Sequence, residues 1–148
     1  MARALAAATV GWLVLLGVAM APPVRATAPG LSALVYLAAG RVCHQNPERS
    51  FHAGGVQWPV CARCAGLYLA APIGALLALR RRGALTRRGA VSVLSTFGAP
   101  TAITFAAEHL AGLPMTNGAR FVAAWPLGAA VAWIIIVTVR GAASHRVH

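Results

Sequence analysis

Residues 61–79 read CARCAGLYLAAPIGALLAL, a Cys-x-x-Cys pair that leads without interruption into an apolar run. At 1.5 Å per helical residue, a stretch of this length covers the ~30 Å of hydrocarbon in a bilayer. Inside lipid every backbone N–H and C=O must be satisfied within its own segment, so a spanning helix is expected. The stretch therefore poses two questions together: how the chain sits in a membrane, and why thiols stand at one end of a membrane helix.

Working outward, three more runs have a similar length. They are residues 4–21 (ALAAATVGWLVLLGVAMA), about 90–107, and 121–139, the last including WIIIVTV. Pro72, Pro100 and Pro126 fall inside three of the four. Membrane helices tolerate such prolines, usually with a kink. Residues 31–42 (LSALVYLAAGRV) are apolar but too short to cross, and suit an interfacial or re-entrant helix. The expected fold class is all-α: an integral membrane bundle of four transmembrane helices, with that short helix before the cysteines, in one domain of residues 1–148.

Composition agrees. The chain is 59% hydrophobic and only 10% charged, against roughly 25% charged in a soluble domain, and its mean hydropathy is +0.70. The net charge of +11 comes from 13 basic residues, all arginine. In a soluble chain that balance would suggest nucleic acid. Here the arginines lie between apolar runs, so the expected partner is the lipid bilayer and not nucleic acid.

Their distribution also suggests an orientation. RRRGALTRR places Arg80, Arg81, Arg82, Arg87 and Arg88 in one short loop, residues 80–89, a cytoplasmic signal by the positive-inside rule. Arg3, Arg140 and Arg146 fall on the same side of a four-helix chain, and the remaining arginines on the other. Both termini are then cytoplasmic and the segment before Cys61 faces outward. The start of the chain has a rival reading, since MAR, an apolar core and RATA resemble a secretory signal peptide. Pro29 directly after Ala28 disfavours cleavage there, so an uncleaved helix is expected.

That outward segment, CHQNPERSFHAGGVQWPVCARCAG over residues 43–66, holds all three cysteines, two of five histidines and one of two acidic residues. Residues 43–60 read as an outer loop, with Gly54-Gly55 as a turn that brings its halves together. Cys61 and Cys64 are three apart, hence on one helical face. A helix N-terminus with Arg63 alongside favours their thiolate form. With Cys43, and with His44 or alternatively His52, they form a candidate tetrahedral Cys3His metal site. The same atoms allow thiol–disulfide exchange, with Cys43 as a resolving thiol, or a structural disulfide that pins the loop.

The other polar residues fall at the same end of the helices. Glu48 and Glu108 are the candidate catalytic carboxylates. Glu48 has a choice between pairing with Arg49 and supporting a ligand imidazole. Arg49 suits an anionic substrate group or a lipid phosphate. Glu108 suits a ligand, a proton acceptor or a partner for Arg120. Gln45, Ser50, Arg63, His109, Asn117 and Arg120 complete the supporting set, with an ordinary interfacial role equally open to His109. His145 and His148 lie in a polar tail away from it.

CHQ, PERSF and PVCARC followed by Gly66-Leu67-Tyr68 resemble the signature of a small prokaryotic membrane-protein family, domain of unknown function 2085. Glu108, Asn117, Arg120 and Gly128 resemble its second half, and the likeness covers roughly residues 31–139. The resemblance implies an integral membrane protein, here of the prokaryotic cytoplasmic (inner) membrane, and brings no established activity.

The expected function is therefore argued from the site. It is an extracytoplasmic-facing Cys/His centre for a transition metal, foremost zinc, with a structural or a hydrolytic role. The alternatives are a membrane thiol–disulfide oxidoreductase and a copper or iron handling or assembly factor. Hydrolase motifs such as HExxH and GxSxG are absent, as is a nucleotide-binding glycine loop. Small residues in every helix (GVAMA, GAPTA, GAAVA) favour close helix packing, within one chain, in a homo-oligomer or with a protein partner.

Overall fold

A computed structural model describes residues 1–144 apart from 82 and 84. Arg82, and the tail containing His145, Arg146 and His148, lie outside the described residues. The elements in chain order are α1 (Ala2–Met20), α2 (Pro22–Thr27), α3 (Pro29–Gly40), a 3₁₀ turn (Pro47–Arg49), β1 (Ser50–Ala53), β2 (Val56–Cys61), α4 (Ala62–Arg80), α5 (Arg87–His109) and α6 (Asn117–Ser144). Four of them, α1, α4, α5 and α6, are long and apolar enough to cross a membrane. The fold is all-α with one small hairpin.

Proline and threonine set the helix boundaries. Pro22 and Pro29 each open a helix, where a missing N–H costs nothing. The chain therefore turns twice after α1, adding the short helix α2 that hydropathy alone does not mark. Thr86 Oγ1 accepts the Gly89 N–H at 3.1 Å, an N-cap that starts α5 at Arg87. The basic loop is accordingly shorter than the expected 80–89. Pro72, Pro100 and Pro126 all remain inside their helices.

Residues 43–60 are more ordered than the loop expected from sequence. Ala53 pairs with Val56 and His52 with Gln57 in an antiparallel hairpin. Gly54 and Gly55 between them have φ of 56° and 75°. Two successive positive φ values are what a two-residue type I′ turn requires. The strand signal is weak in sequence because the ladder is irregular between Ser50 and His52 and Pro59 lies in β2.

The bundle is built on α4 and α6, whose backbones touch. A Cβ on Gly74 would lie 1.9 Å from the Ala129 carbonyl oxygen, and one on Gly128 2.2 Å from that of Leu67. Gly66 meets the Phe121 carbonyl in the same way. Small residues permit this approach where no hydrophobic force drives helices together. The helix α1 runs antiparallel to α4. Its start (Ala2, Leu5, Ala6) packs on Ala75, Ala78, Ile136 and Val137. Its end (Leu16, Ala19) meets α3 and the cysteine segment. The helix α5 lies on the flank of α6 with no buried residue of its own, tied by Thr101 Oγ1 to the Ala123 carbonyl at 2.8 Å.

Outward faces carry exposed Leu76, Leu77, Ile103 and Val122, which suits contact with lipid. The two ends of the bundle differ. At one, Arg140 Nη1 donates to the carbonyls of Ala78 (2.8 Å), Leu79 (2.7 Å) and Arg81 (3.2 Å), capping the C-terminus of α4. Arg81 in turn lies 4.8 Å over the Trp133 ring. The opposite end gathers the hairpin, the start of α4, the end of α5 and the start of α6.

Candidate metal centre

The approach to the first cysteine is set by α3. The Cys43 N–H donates to the Ala39 carbonyl at 2.9 Å, closing that helix. Two residues later Gln45 adopts φ 49°, a left-handed conformation uncommon outside glycine. Its side chain explains how that is held. Gln45 Nε2 donates to the carbonyls of Tyr36 (2.8 Å) and Pro59 (2.7 Å), while Gln57 Nε2 donates to the Gln45 carbonyl at 2.6 Å. The chain is thereby strapped back across β2. Asn46 Oδ1 then accepts the Glu48 N–H at 3.0 Å, and Ser50 Oγ donates to the Asn46 carbonyl at 2.8 Å.

β2 delivers the second cysteine. Cys61 is both the last residue of that strand and the N-cap of α4, with φ −67° and ψ 163°. The Cys61 N–H donates to Cys43 Sγ at 3.1 Å. One turn on, Cys64 completes a group whose three sulfurs all lie within 4.8 Å of one another. Cys43 and Cys61 are 7% and 4% exposed, Cys64 is half-buried, and all three are free thiols. Tetrahedral zinc with Zn–S of ≈ 2.3 Å sets sulfurs about 3.8 Å apart, so the group fits a metal ion after a small contraction.

The electrostatics favour the thiolate at one sulfur, that of Cys61. Hydrogen bonding by Cys64 holds the Cys61 sulfur well below the usual cysteine range, at about 5, against the burial that would raise it. Cys43 and the charge of His44 act in the same downward direction. Arg63 contributes differently from the sequence expectation. Its guanidinium turns away from the thiols to Glu108.

The two histidines stand apart. His44 and His52 are exposed, and neither ring belongs to the three-sulfur group. His44 Nδ1 accepts the Asn46 N–H at 2.9 Å, and its Nε2 has no hydrogen-bond partner among the described residues. His52 sits on the hairpin.

Beside the sulfurs is a second polar cluster. Glu108, at the end of α5 with its carboxylate side chain 8% exposed, receives three arginines from three other parts of the fold. Arg120 Nη2 reaches Oε1 at 2.6 Å, Arg63 Nη2 reaches Oε2 at 3.2 Å, and Arg49 Nη2 reaches Oε1 at 3.2 Å. Of the roles open to Glu108, the structure realises the arginine partnership, extended to two residues that sequence spacing does not connect. Asn117 Nδ2 donates to the carbonyls of Glu48 (3.3 Å) and Ser50 (3.1 Å), while its Oδ1 accepts from Arg120 Nη1 at 2.7 Å. His109 Nε2 lies 3.4 Å from Arg49 Nη1, with its ring stacked on Phe105. Glu48 is exposed and does not pair with Arg49.

Sequence reasoning gave no reason for Gln57 and Asn46, and for Trp58 only an interfacial one. Gln57 and Asn46 hold the strap, and Trp58 packs on Phe51, which also meets Phe121 of α6. The one available signal is polar amide side chains in a segment flanked by apolar helices.

Comparison with known proteins supports the frame but not an activity. Residues 43–134, more than half of the chain, match the family model described as predicted membrane protein (DUF2085). An uncharacterised protein of Methanothermobacter thermautotrophicus is 53% identical over 30 residues, 20% of this chain and 27% of that one. An uncharacterised protein of Methanocaldococcus jannaschii is 38% identical over 47 residues, 32% of this chain and 30% of that one. The chain thus spans less than a third of the length of these curated relatives. No solved structure matches. With the cysteine segment and the helices α4 and α5 inside the matched region, the chain belongs to the DUF2085 family of predicted membrane proteins.

Proposed function

We propose that the protein is a membrane metal-site protein in which Cys43, Cys61 and Cys64 hold one transition-metal ion, zinc foremost. The observation that carries this reading is the convergence of three buried or half-buried sulfurs, brought from the segment after α3, from β2 and from α4 to within 4.8 Å. A strand-to-helix disulfide would need two sulfurs, and this fold gathers all three. The Cys61 N–H to Cys43 Sγ bond at 3.1 Å supplies the kind of support that steadies a thiolate ligand. His44 is the first candidate for the fourth position, next to Cys43 and with no partner on Nε2 among the described residues. If water occupies that position instead, the ion supplies Lewis-acid chemistry.

The test is zinc content by mass spectrometry on protein purified without chelators. About one zinc per chain is expected, with near-complete loss in Cys61→Ser. His44→Ala is expected to weaken binding by about 10–100-fold. Wild-type zinc content in Cys61→Ser would exclude these sulfurs as the site.

A second reading draws on the free Cys61 and Cys64 thiols at the start of α4. The lowered titration of Cys61 in a Cys-x-x-Cys pair suits attack on a disulfide. A thiol–disulfide oxidoreductase would carry no metal, yield one disulfide and one free thiol on denaturation, and be indifferent to His44→Ala.

We further place the site on the outer face of a prokaryotic inner membrane, with both termini cytoplasmic. The arginine-capped end, with Arg81, Arg87 and Arg140, supports this by the positive-inside rule. A C-terminal phosphatase fusion, active only outside the cytoplasm, is expected to be silent. An active fusion would invert the orientation.

A further inference from the structure

We infer that Arg49, Arg63 and Arg120 form a binding site for a phosphate-class oxyanion, a lipid phosphodiester headgroup or free phosphate, at the cysteine end of the bundle. The charges do not balance. Three guanidinium groups face the single carboxylate of Glu108, a surplus of two positive charges. Their side chains are 34%, 15% and 11% exposed, so water screens Arg63 and Arg120 poorly. Like charges gathered at this depth are costly unless an anion joins them.

The hydrogen-bond donors are also in excess. Each nitrogen of Arg120 has a partner, Glu108 for Nε and Nη2 and Asn117 for Nη1, which leaves one further N–H on each terminal nitrogen. Arg63 is less well matched. It makes one contact to Glu108 through Nη2, and its Nε is buried with no partner among the described residues. Phe105 lies under its guanidinium at 5.4 Å and steadies the plane without satisfying a donor. Arg49 spends Nη2 on Glu108 and holds Nη1 3.4 Å from His109. It is the most exposed of the three, on the open side of the cluster.

Guanidinium forks match tetrahedral oxyanions that offer several oxygens at once. Glu108 fits the same scheme as a spacer that fixes the arginines apart and aligned. The cluster stands where α4 and α6 begin and α5 ends, the level at which a lipid headgroup meets a spanning bundle. Cys61 and Cys64 share one face of the first turn of α4, and Arg63 projects from another. The anion site is therefore separate from the sulfur site and does not depend on a metal being held there.

The experiment uses the full chain, purified and delipidated in detergent. Inorganic phosphate is titrated by calorimetry, and phosphatidylglycerol is added back and its retention followed by native mass spectrometry. One anion per chain is expected. Arg49→Gln and Arg63→Gln should each weaken it by about tenfold or more, as the loss of a charge-assisted hydrogen bond does. Arg49→Gln is the safer variant, because Glu108 keeps Arg63 and Arg120; an unchanged elution profile and melting temperature verify its fold. Retained lipid with no phosphate binding identifies the headgroup as the ligand, and phosphate binding without lipid identifies the free ion. Binding of neither, or equal binding by wild type and a folded Arg49→Gln, overturns the proposal.

Discussion

Replacing Gly74 by alanine is expected to lower the melting temperature in detergent sharply, while the same change at Gly11 leaves it almost unmoved. The added methyl at position 74 would stand 1.9 Å from the Ala129 carbonyl oxygen, where real contacts do not fall below 3.0 Å. Backbone cannot rotate out of the way as a side chain can. The helices α4 and α6 must therefore separate by about an ångström, and every contact along their seam is loosened. Overpacking costs typically 1–3 kcal/mol, and the absence of any soft neighbour here puts the cost at about the top of that range. Nothing lies within 4 Å of the Gly11 position, so Gly11→Ala is expected within about 0.5 kcal/mol of wild type. Equal melting of the two variants would contradict the α4–α6 packing.

The second large effect is expected at Glu108. Glu108→Gln keeps the shape and removes the charge, leaving Arg49, Arg63 and Arg120 to repel one another. Removing one partner of a buried ion pair costs roughly 3–5 kcal/mol, and the part-exposure of Arg49 moves the expectation toward the lower figure, about 3 kcal/mol. The damage should spread beyond α5, because the same carboxylate anchors the hairpin through Arg49, α4 through Arg63 and α6 through Arg120. Faster amide exchange in residues 47–61 is the specific readout. Unchanged stability and exchange would mean that the three contacts carry little.

These contacts mark the boundary of what sequence reveals here. The four spans are legible, because a bilayer imposes length and hydropathy on each segment separately. The turn at Gly54-Gly55 is legible for the same reason: its chemistry is local. The helix face shared by Cys61 and Cys64 is local too. By contrast, Arg49 and Arg63 reach Glu108 from 45 or more residues away, and no spacing rule connects them. The left-handed Gln45 is likewise invisible, since the residue type carries no such preference and three distant carbonyl and amide partners enforce it.

The histidines illustrate the opposite limit. His44 and His52 have the right side chains at plausible spacings, which is all that a sequence pattern records. The path of the backbone and exposure decide where the rings go, and both stay outside the sulfur group. The glycines lie between these cases. Small residues announce close packing, but only the register of α4 on α6 shows that Gly66, Gly74 and Gly128 carry it.

The central claim, a metal ion on three cysteine sulfurs, is tested most directly by X-ray absorption at the zinc edge of the purified, unchelated protein. The account predicts about three sulfur neighbours at ≈ 2.3 Å, with one lighter atom at about 2.0–2.1 Å. A zinc shell of nitrogen and oxygen alone, or protein free of zinc with Cys61 and Cys64 oxidised, would contradict it.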